Sequence, residues 1–134
     1  MAVGKVARTW RDKLNQRLKP LGLSQSRWRA LLYISRAPNG LNQTELARML
    51  TIEAPTVTRL ITQLEQDGWV SRRTVAHDGR CKTVHLTPKA SRVIERINAA
   101  VTQLRAETVG RLTENEAAAG LAAIQAFQHF LDEL

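Results

Sequence analysis

Residues 41–86 constrain the fold of this chain most, because they place three structural patterns in direct succession. Two short runs carry apolar residues at three- and four-residue steps, and a β-favouring run follows them. Asn42 has Glu45 three residues further on, which resembles a capping box, and Pro55 stands at a first-turn position. Gly68 ends the second run. The succession predicts two short helices separated by a turn and followed by a β-hairpin.

The hairpin is predicted from two short β-favouring runs, Val70–Val75 and Lys82–Leu86. Residues 77–80, with the sequence His-Asp-Gly-Arg, stand between them and favour a turn. The loop is longer than the two-residue minimum, so we expect its tip to be mobile.

Helical patterns flank this stretch on both sides. Residues 3–18 place apolar side chains at three- and four-residue steps, and Ser24 is a candidate N-cap for a second helix. Thr87, followed by a proline, is predicted to cap a long helix, and Thr113 opens a capping box for the last one. The predicted fold class is mainly α with a small β-hairpin, in the order α-α-α-α-β-β-α-α.

The charge balance bears on the binding partner. The chain has 134 residues and an apolar content of 43%, enough for one globular domain with a modest core. Lysine and arginine together number 20 against 12 aspartates and glutamates, which gives a net charge of +8. An excess of this size favours polyanionic partners, and nucleic acid first. Residues 112–134 contain no lysine or arginine, so we do not expect this segment to contact phosphate.

Cysteine usage and hydropathy indicate the compartment. Cys81 is the only cysteine, which excludes an intramolecular disulfide framework and fits a reducing cytosol. The first ten residues lack the continuous apolar core of a signal peptide, and no stretch approaches the ~18–20 apolar residues of a membrane span. We therefore expect a soluble, cytoplasmic protein with no membrane partner.

The second helix of the central stretch has a polar face suited to DNA. At ~100° per residue, the side opposite its apolar stripe is polar and carries one long cation, Arg59. Arg59 can bind guanine O6 and N7 through two hydrogen bonds, or it can bind a phosphate. In the alternative interpretation, the polar residues here are ordinary solvated helix positions. The candidate DNA contacts on this helix are Pro55, Thr56, Thr58, Arg59, Thr62 and Gln63.

The hairpin adds a second group of candidate DNA contacts, and most of them are basic. An arginine at the tip of a β-ribbon has the shape to enter a narrow, A·T-rich minor groove. Asp78, two residues before Arg80, is interpreted as a carboxylate that accepts guanidinium hydrogen bonds and holds that arginine in place. The alternative is a turn aspartate that satisfies the backbone of its own loop. The candidates in the hairpin are Arg72, Arg73, Asp78, Arg80 and Lys82.

Catalysis and metal binding find little support in the sequence. His77, Cys81 and His85 stand four residues apart, but in a hairpin this spacing does not make them converge, and a fourth ligand is missing. The sequence shows no Gly-rich phosphate loop and no paired carboxylates in an apolar setting. We expect no cofactor, no metal and no enzymatic activity. An RNA-binding or protein-interaction module remains the alternative function from another class.

The order and spacing of these residues resemble the MarR family of bacterial transcription regulators over essentially the whole chain, and the SlyA-type branch most of all. The resemblance implies a winged helix-turn-helix homodimer whose first and last helices interlock, acting on palindromic double-stranded DNA. It also implies that Arg59 and its neighbours read the major groove, and that Asp78 and Arg80 form the wing motif. The matching motifs are Trp10-Arg11, Arg17-Leu-Lys-Pro-Leu21, Trp28, Gln43-x-Glu45-Leu46-Ala47, Ile52-Glu53-x-Pro55, Arg59, Gln63-Leu64-Glu65, Gly68-x-Val70-Ser71-Arg72 and Asp78-x-Arg80 leading into Leu86-Thr87.

The resemblance implies a division of the single domain 1–134 into a DNA-binding lobe and dimerisation helices. The lobe would be 24–86, with the helix-turn-helix at about 43–67 and the wing at about 70–86, and the dimerisation helices would be 1–20 and 88–134. Gly79 stands where the SlyA-type wing has another arginine, so this wing should carry less charge at its tip.

A ligand pocket is also implied by the resemblance, because the family commonly binds aromatic carboxylates such as salicylate. The residues concerned here are Arg8, Arg11, Trp28 and Arg59, with an indole wall for the ring and guanidinium groups for the carboxylate. The alternative is that Trp28 belongs to the core and that the arginines are solvated or face phosphate. Cys81 lies in the wing, whereas the peroxide-sensing branch keeps its cysteine near the first helix, so we do not expect a thiol redox sensor.

Overall fold

The computed structural model describes residues 1–75 and 78–134, and it describes side chains outside residues 75–81. The predicted order of helices and strands is confirmed, and short 3-10 turns lie at Lys19–Leu21, Pro88–Ala90 and Val109–Arg111. The chain divides into two compact units, 1–100 and 101–134. The elements are α1 Ala2–Leu18, α2 Gln25–Ser35, α3 Gln43–Leu50, α4 Ala54–Gln66, β1 Val70–Val75, β2 Asp78–Leu86, α5 Ser91–Glu107 and α6 Glu114–Asp132.

The helix starts that the sequence predicts are mostly confirmed by their hydrogen bonds. The Ser24 hydroxyl accepts from the backbone N–H three residues on, and the Asn42 side chain accepts from the N–H of Glu45 at 2.8 Å. Thr113 forms a complete capping box with Glu116 at the start of α6. Pro55 lies in the first turn of α4, where its missing N–H leaves no donor unsatisfied. Local side-chain bonds therefore set where α2, α3 and α6 begin, and a proline in the first turn does so for α4.

Two boundaries differ from the sequence-based prediction. Thr87 does not cap a helix, because its hydroxyl donates instead to the backbone oxygen of Gly68, and the segment after it is a 3-10 turn. The long helix α5 consequently begins only at Ser91. Strand β2 begins at Asp78 rather than at Lys82, and the antiparallel register shifts between Thr74 and Val75. Of the predicted turn 77–80, residues 78–80 belong to β2, and residue 77 lies outside the described residues, so the expected mobility of the tip stays a prediction.

The core of the first unit is built on α4. Its stripe of Val57, Leu60, Ile61 and Leu64 is buried as predicted. A single β-bridge joins Leu41, in front of α3, to Val84 on β2, so the hairpin is attached to the helical part of the unit by backbone hydrogen bonds of 2.7 and 3.3 Å. The other buried apolar residues of this unit are Leu14, Leu18, Trp28, Ala30, Leu31, Leu32, Ile34, Leu41, Leu46, Leu50, Val70, Val84, Ala90 and Ile97.

The second unit buries Val101 and Leu104 of α5, but none of the residues of α6 is buried. Leu121 is 58% exposed and Phe127 is 45% exposed, although both belong to the apolar side of α6. Among the described residues, no helix has the length and hydropathy that a membrane span requires.

Candidate nucleic-acid interface

The side of α4 opposite its buried stripe is open to solvent. Pro55, Thr56, Thr58 and Arg59 are exposed, and Thr62 is half-buried. The stripe faces the core because its members recur at three- and four-residue steps, and the same spacing turns the polar residues outward. The predicted polar face is therefore present, with the guanidinium of Arg59 in solvent.

The threonine hydroxyls on this face are already engaged within the helix. Thr58 donates to the backbone oxygen of Ala54 at 3.1 Å, and Thr62 donates to the oxygen of Thr58 at 2.8 Å. A hydroxyl that donates within the helix keeps its lone pairs and its methyl group for outside contacts. Thr58 is thus prepared to accept a hydrogen bond or to pack against a thymine methyl, rather than to donate to phosphate, whereas the Thr62 hydroxyl already accepts from Arg72.

Arg72 of β1 ties the hairpin to α4. Its Nη2 donates to the Thr62 hydroxyl at 3.2 Å, while its Nε is buried and has no hydrogen-bond partner. A buried donor without a partner costs about 1–3 kcal/mol. An added acceptor, such as a phosphate oxygen, would remove that cost and pair with the charge.

A polar groove lies between the start of α3, the helix α4 and the hairpin. Its volume is about 430 Å³. The amino end of a helix directs free N–H groups and partial positive charge at whatever lies in front of it, and two cations line the same space. The groove therefore favours an anion. Its lining residues are Asn42, Gln43, Thr44, Thr58, Arg72, Lys82 and Val84.

Sequence reasoning did not single out Asn42, Gln43 or Thr44 as part of the interface. The sequence marks Asn42 as an N-cap, and a capped helix start placed before a basic hairpin is also a signal for anion binding. The missing information was tertiary, because only the fold shows that the start of α3 lies beside Thr58 and Arg72.

The remaining predicted DNA contacts lie in different settings. Arg73 and Lys82 are exposed on the two strands, whereas the side-chain oxygen of Gln63 accepts a hydrogen bond from Arg27 at 3.2 Å and so faces α2. The side chains of Asp78 and Arg80 fall outside the described residues, so their roles stay predictions.

The four residues of the predicted ligand pocket have unlike surroundings. Trp28 is 1% exposed, and its indole N–H donates to the side-chain oxygen of Asn15 at 3.1 Å, which makes it a core residue of α2. Arg8 is exposed and Arg11 half-buried on α1, and Arg59 is exposed on α4. None of the four lines the groove described above.

His85 marks the point where the hairpin meets the turn before α3. Its Nε2 lies 2.7 Å from the Thr83 hydroxyl, and burial, followed by the charge of Arg73, holds its pKa below the usual 6.5. His77 and Cys81 have no described side chains, and the described residues contain no group of three metal-ligating side chains.

A recognition helix with an open polar face, next to a basic two-stranded ribbon and a capped helix start, defines a winged-helix protein of the DNA-binding class. Comparison with known proteins gives the family. The MarR family model matches residues 21–80. The solved structure of transcriptional regulator PA3341 is 36% identical, covering 99% of this chain and 97% of that chain, with a TM-score of 0.93. The chain belongs to the MarR family and is a DNA-binding transcription regulator.

Two further solved structures share the fold. Wild-type MarR from E. coli is 26% identical, covering 94% of this chain and 93% of that chain, with a TM-score of 0.74. The MepR–DNA complex of S. aureus is 22% identical, covering 97% of this chain and 94% of that chain, with a TM-score of 0.83.

Proposed function

We propose that this chain acts as a homodimer that recognises a palindromic operator in double-stranded DNA, with α4 in the major groove and the hairpin as a wing on the flanking backbone. The observation that carries the proposal is the groove of Asn42, Thr58, Arg72 and Lys82, which is basic and adjoins the open face of α4. A DNA backbone passing through this groove would bring base edges within reach of Arg59.

The contacts divide into base reading and backbone positioning. Arg59 is the proposed base reader, with Pro55, Thr56 and Thr58 allowing close approach at the start of α4. Phosphate contacts are assigned to Arg72, Arg73 and Lys82 and to the amino end of α3. Arg80, oriented by Asp78, is proposed to enter the minor groove.

The homodimer is supported by apolar surface that each unit leaves exposed. In the second unit, α6 carries exposed large apolar side chains along its length, including Leu121 and Phe127. In the first unit, Val3 and Val6 of α1 are exposed, the latter by 67%. Exposed apolar patches of this kind mark interfaces. A two-fold dimer places its two recognition helices about 34–36 Å apart, so its operator should be a palindrome with half-sites one helical turn apart.

An aromatic carboxylate such as salicylate is proposed as a modulator. Arg8, Arg11 and Asn15 recur at helical spacing on one side of α1, and Asn15 holds the indole of Trp28. A ligand that binds better to a dimer with a different spacing of its lobes would weaken DNA binding by that difference in affinity.

The test is a selection of bound duplexes from random DNA, followed by titration of the selected and scrambled sequences at several salt concentrations, with and without millimolar salicylate. We expect a palindromic selected site and a selectivity of at least about 10³ over the scrambled duplex. Equal binding of all duplexes, with the salt dependence of non-specific binding, would contradict the operator proposal. Preference for A-form RNA would favour the RNA-binding alternative. An affinity that does not respond to salicylate would remove the modulator.

A further inference from the structure

The carboxyl end of α4 is held by a lysine from outside the helix. Lys89 lies in the 3-10 turn Pro88–Ala90, and its Nζ donates to the backbone oxygen of Asp67 at 2.7 Å. The same Nζ lies 4.8 Å from the ring centre of Trp69, a cation–π distance. Lys89 therefore joins the last turn of α4 to the residue that leads into the hairpin.

A second cation contacts this end of α4 from α2. Arg27 donates through Nη2 to the side-chain oxygen of Gln63 at 3.2 Å and through Nη1 to the Asp67 carboxylate at 3.4 Å. Thr87, two residues before Lys89, adds a hydrogen bond to the backbone oxygen of Gly68. The end of α4 is thus fixed by α2 and by the turn before α5.

Cations suit this position because the last carbonyl groups of a helix lack intrahelical partners and carry partial negative charge. Lys89 is nevertheless exposed, so its contacts add little to the free energy of unfolding. Their larger effect is on geometry. For a helix of 13 residues, about 20 Å long, a tilt of about 5° at one end moves the other end by about 1.7 Å. A displacement of that size breaks a hydrogen bond to a base edge.

We propose that Lys89, together with Arg27, is a positioning residue that sets the angle of α4 and thereby the sequence discrimination of the protein. The inference rests on the proposed reading of base edges by α4. Neither side chain needs to touch DNA in this role.

The test compares Lys89→Met and Lys89→Arg with the wild type, and uses Lys19→Met, an exposed lysine of the first 3-10 turn, as a charge-matched control. Affinity for the selected operator and for a scrambled duplex is measured at several salt concentrations. We expect Lys89→Met to lower operator affinity about five-fold, with an unchanged salt slope and scrambled-DNA affinity. Lys89→Arg should retain most of the operator affinity, since it keeps a donor and a cation at the same place, and Lys19→Met should match the wild type.

Amide hydrogen exchange of the free protein tests the same inference without DNA. Lys89→Met and Arg27→Met should each accelerate exchange at residues 63–68, while the rest of α4 and the thermal midpoint stay close to wild type. An unchanged exchange rate at residues 63–68 would overturn the positioning role, whatever the DNA result. A parallel loss of operator and scrambled-DNA affinity, with a salt slope smaller by about one, would identify Lys89 as a phosphate contact instead. Equal binding of all duplexes by the wild type would contradict the proposed function, and the exchange result would then decide separately whether Lys89 holds the helix.

Discussion

Arg59 and Arg72 lie in different surroundings, and the roles proposed for them differ accordingly. Arg72 is half-buried and bonded to Thr62, which fixes its guanidinium between the hairpin and α4. Arg59 is exposed on the open face and free to follow a base edge. A tethered arginine suits a backbone phosphate, whose position does not depend on sequence, and an exposed one suits a guanine.

Replacing Arg59 with alanine should therefore lower operator affinity by about 1–3 kcal/mol and relax the preference at one base pair of each half-site. Affinity for scrambled DNA should fall much less, because the lost bonds are made to bases. Fluorescence titration against operator variants measures both effects, with Arg36→Ala at the exposed end of α2 as the matched control. A uniform loss on all sequences would show that Arg59 binds phosphate only.

His85 makes the free energy of unfolding depend on pH. Its folded pKa lies below 6.5, first because of burial and then because of Arg73, so the unfolded chain takes up a proton first as the pH falls. The contribution of His85 to the free energy of unfolding is therefore fully present above pH 6.5, and it decreases as the pH drops from there towards the folded pKa. Denaturant midpoints across this range should fall less in His85→Gln than in the wild type. Equal pH slopes in the two proteins would refute this assignment.

Residue exposure in α4 could be predicted from the sequence, whereas side-chain partners could not. A period near 3.6 places Val57 and Arg59 on opposite faces of the helix, so the burial of Val57 and the exposure of Arg59 follow from spacing alone. The bonds from Arg72 to Thr62 and from Arg27 to Gln63 join residues on different elements, and only the packing of those elements brings them within reach.

At the scale of elements, helix boundaries set by local hydrogen bonds could be predicted from the sequence, whereas a boundary set by a tertiary contact could not. Ser24, Asn42 and Thr113 cap the helices that follow them, because each bond closes within three residues. Thr87 has the same local signal, but its hydroxyl finds the oxygen of Gly68, nineteen residues back in sequence. A tertiary hydrogen bond here prevails over a local cap, and the long helix begins later than the sequence predicts.

The junction between the hairpin and the turn before α3 should be sensitive to a single methyl group. Gly40 has φ +79°, and a Cβ built there would lie 2.6 Å from the imidazole of His85 and 3.0 Å from Cβ of Thr83. Gly22 has a similar φ of +70°, but a Cβ built there has no atom within 4 Å. Gly22→Ala should therefore cost only the strain of an alanine in the left-handed conformation, about 1–2 kcal/mol. We expect Gly40→Ala to lower the free energy of unfolding by about 1 kcal/mol or more beyond that, because His85 must leave Thr83.

Urea unfolding of the two alanine variants measures this difference directly. The His85 resonances should shift in Gly40→Ala and stay in place in Gly22→Ala, which ties the loss to the ring contact. Equal destabilisation of the two variants would mean that the hairpin adjusts without cost.

At the scale of the whole molecule, the exposed apolar side of α6 is the feature that a single chain leaves unexplained. Large apolar residues recur at three-residue steps along the last helix, and in the structure they remain 45% exposed or more, from Leu121 to Phe130. The charge pattern agrees with a separate role for this segment, because residues 112–134 lack lysine and arginine. A second copy of the chain is the proposed partner, since a symmetric dimer buries the same patch on both subunits.

Phe127→Glu should therefore dissociate the proposed dimer. Removing a central aromatic contact and burying a charge costs an interface about 2 kcal/mol or more, a change of about 30-fold in the dimer dissociation constant. Gln125→Glu adds the same charge on the same helix without removing apolar area, and it should stay dimeric.

Sedimentation equilibrium gives the oligomeric state, and titration with a full palindrome and with a single half-site shows its consequence. We expect Phe127→Glu to lose affinity for the palindrome but to keep the half-site affinity of the wild type, because one lobe still carries α4 and the wing. A Phe127→Glu protein that remained dimeric and bound the palindrome fully would show that α6 is not the contact between the two copies.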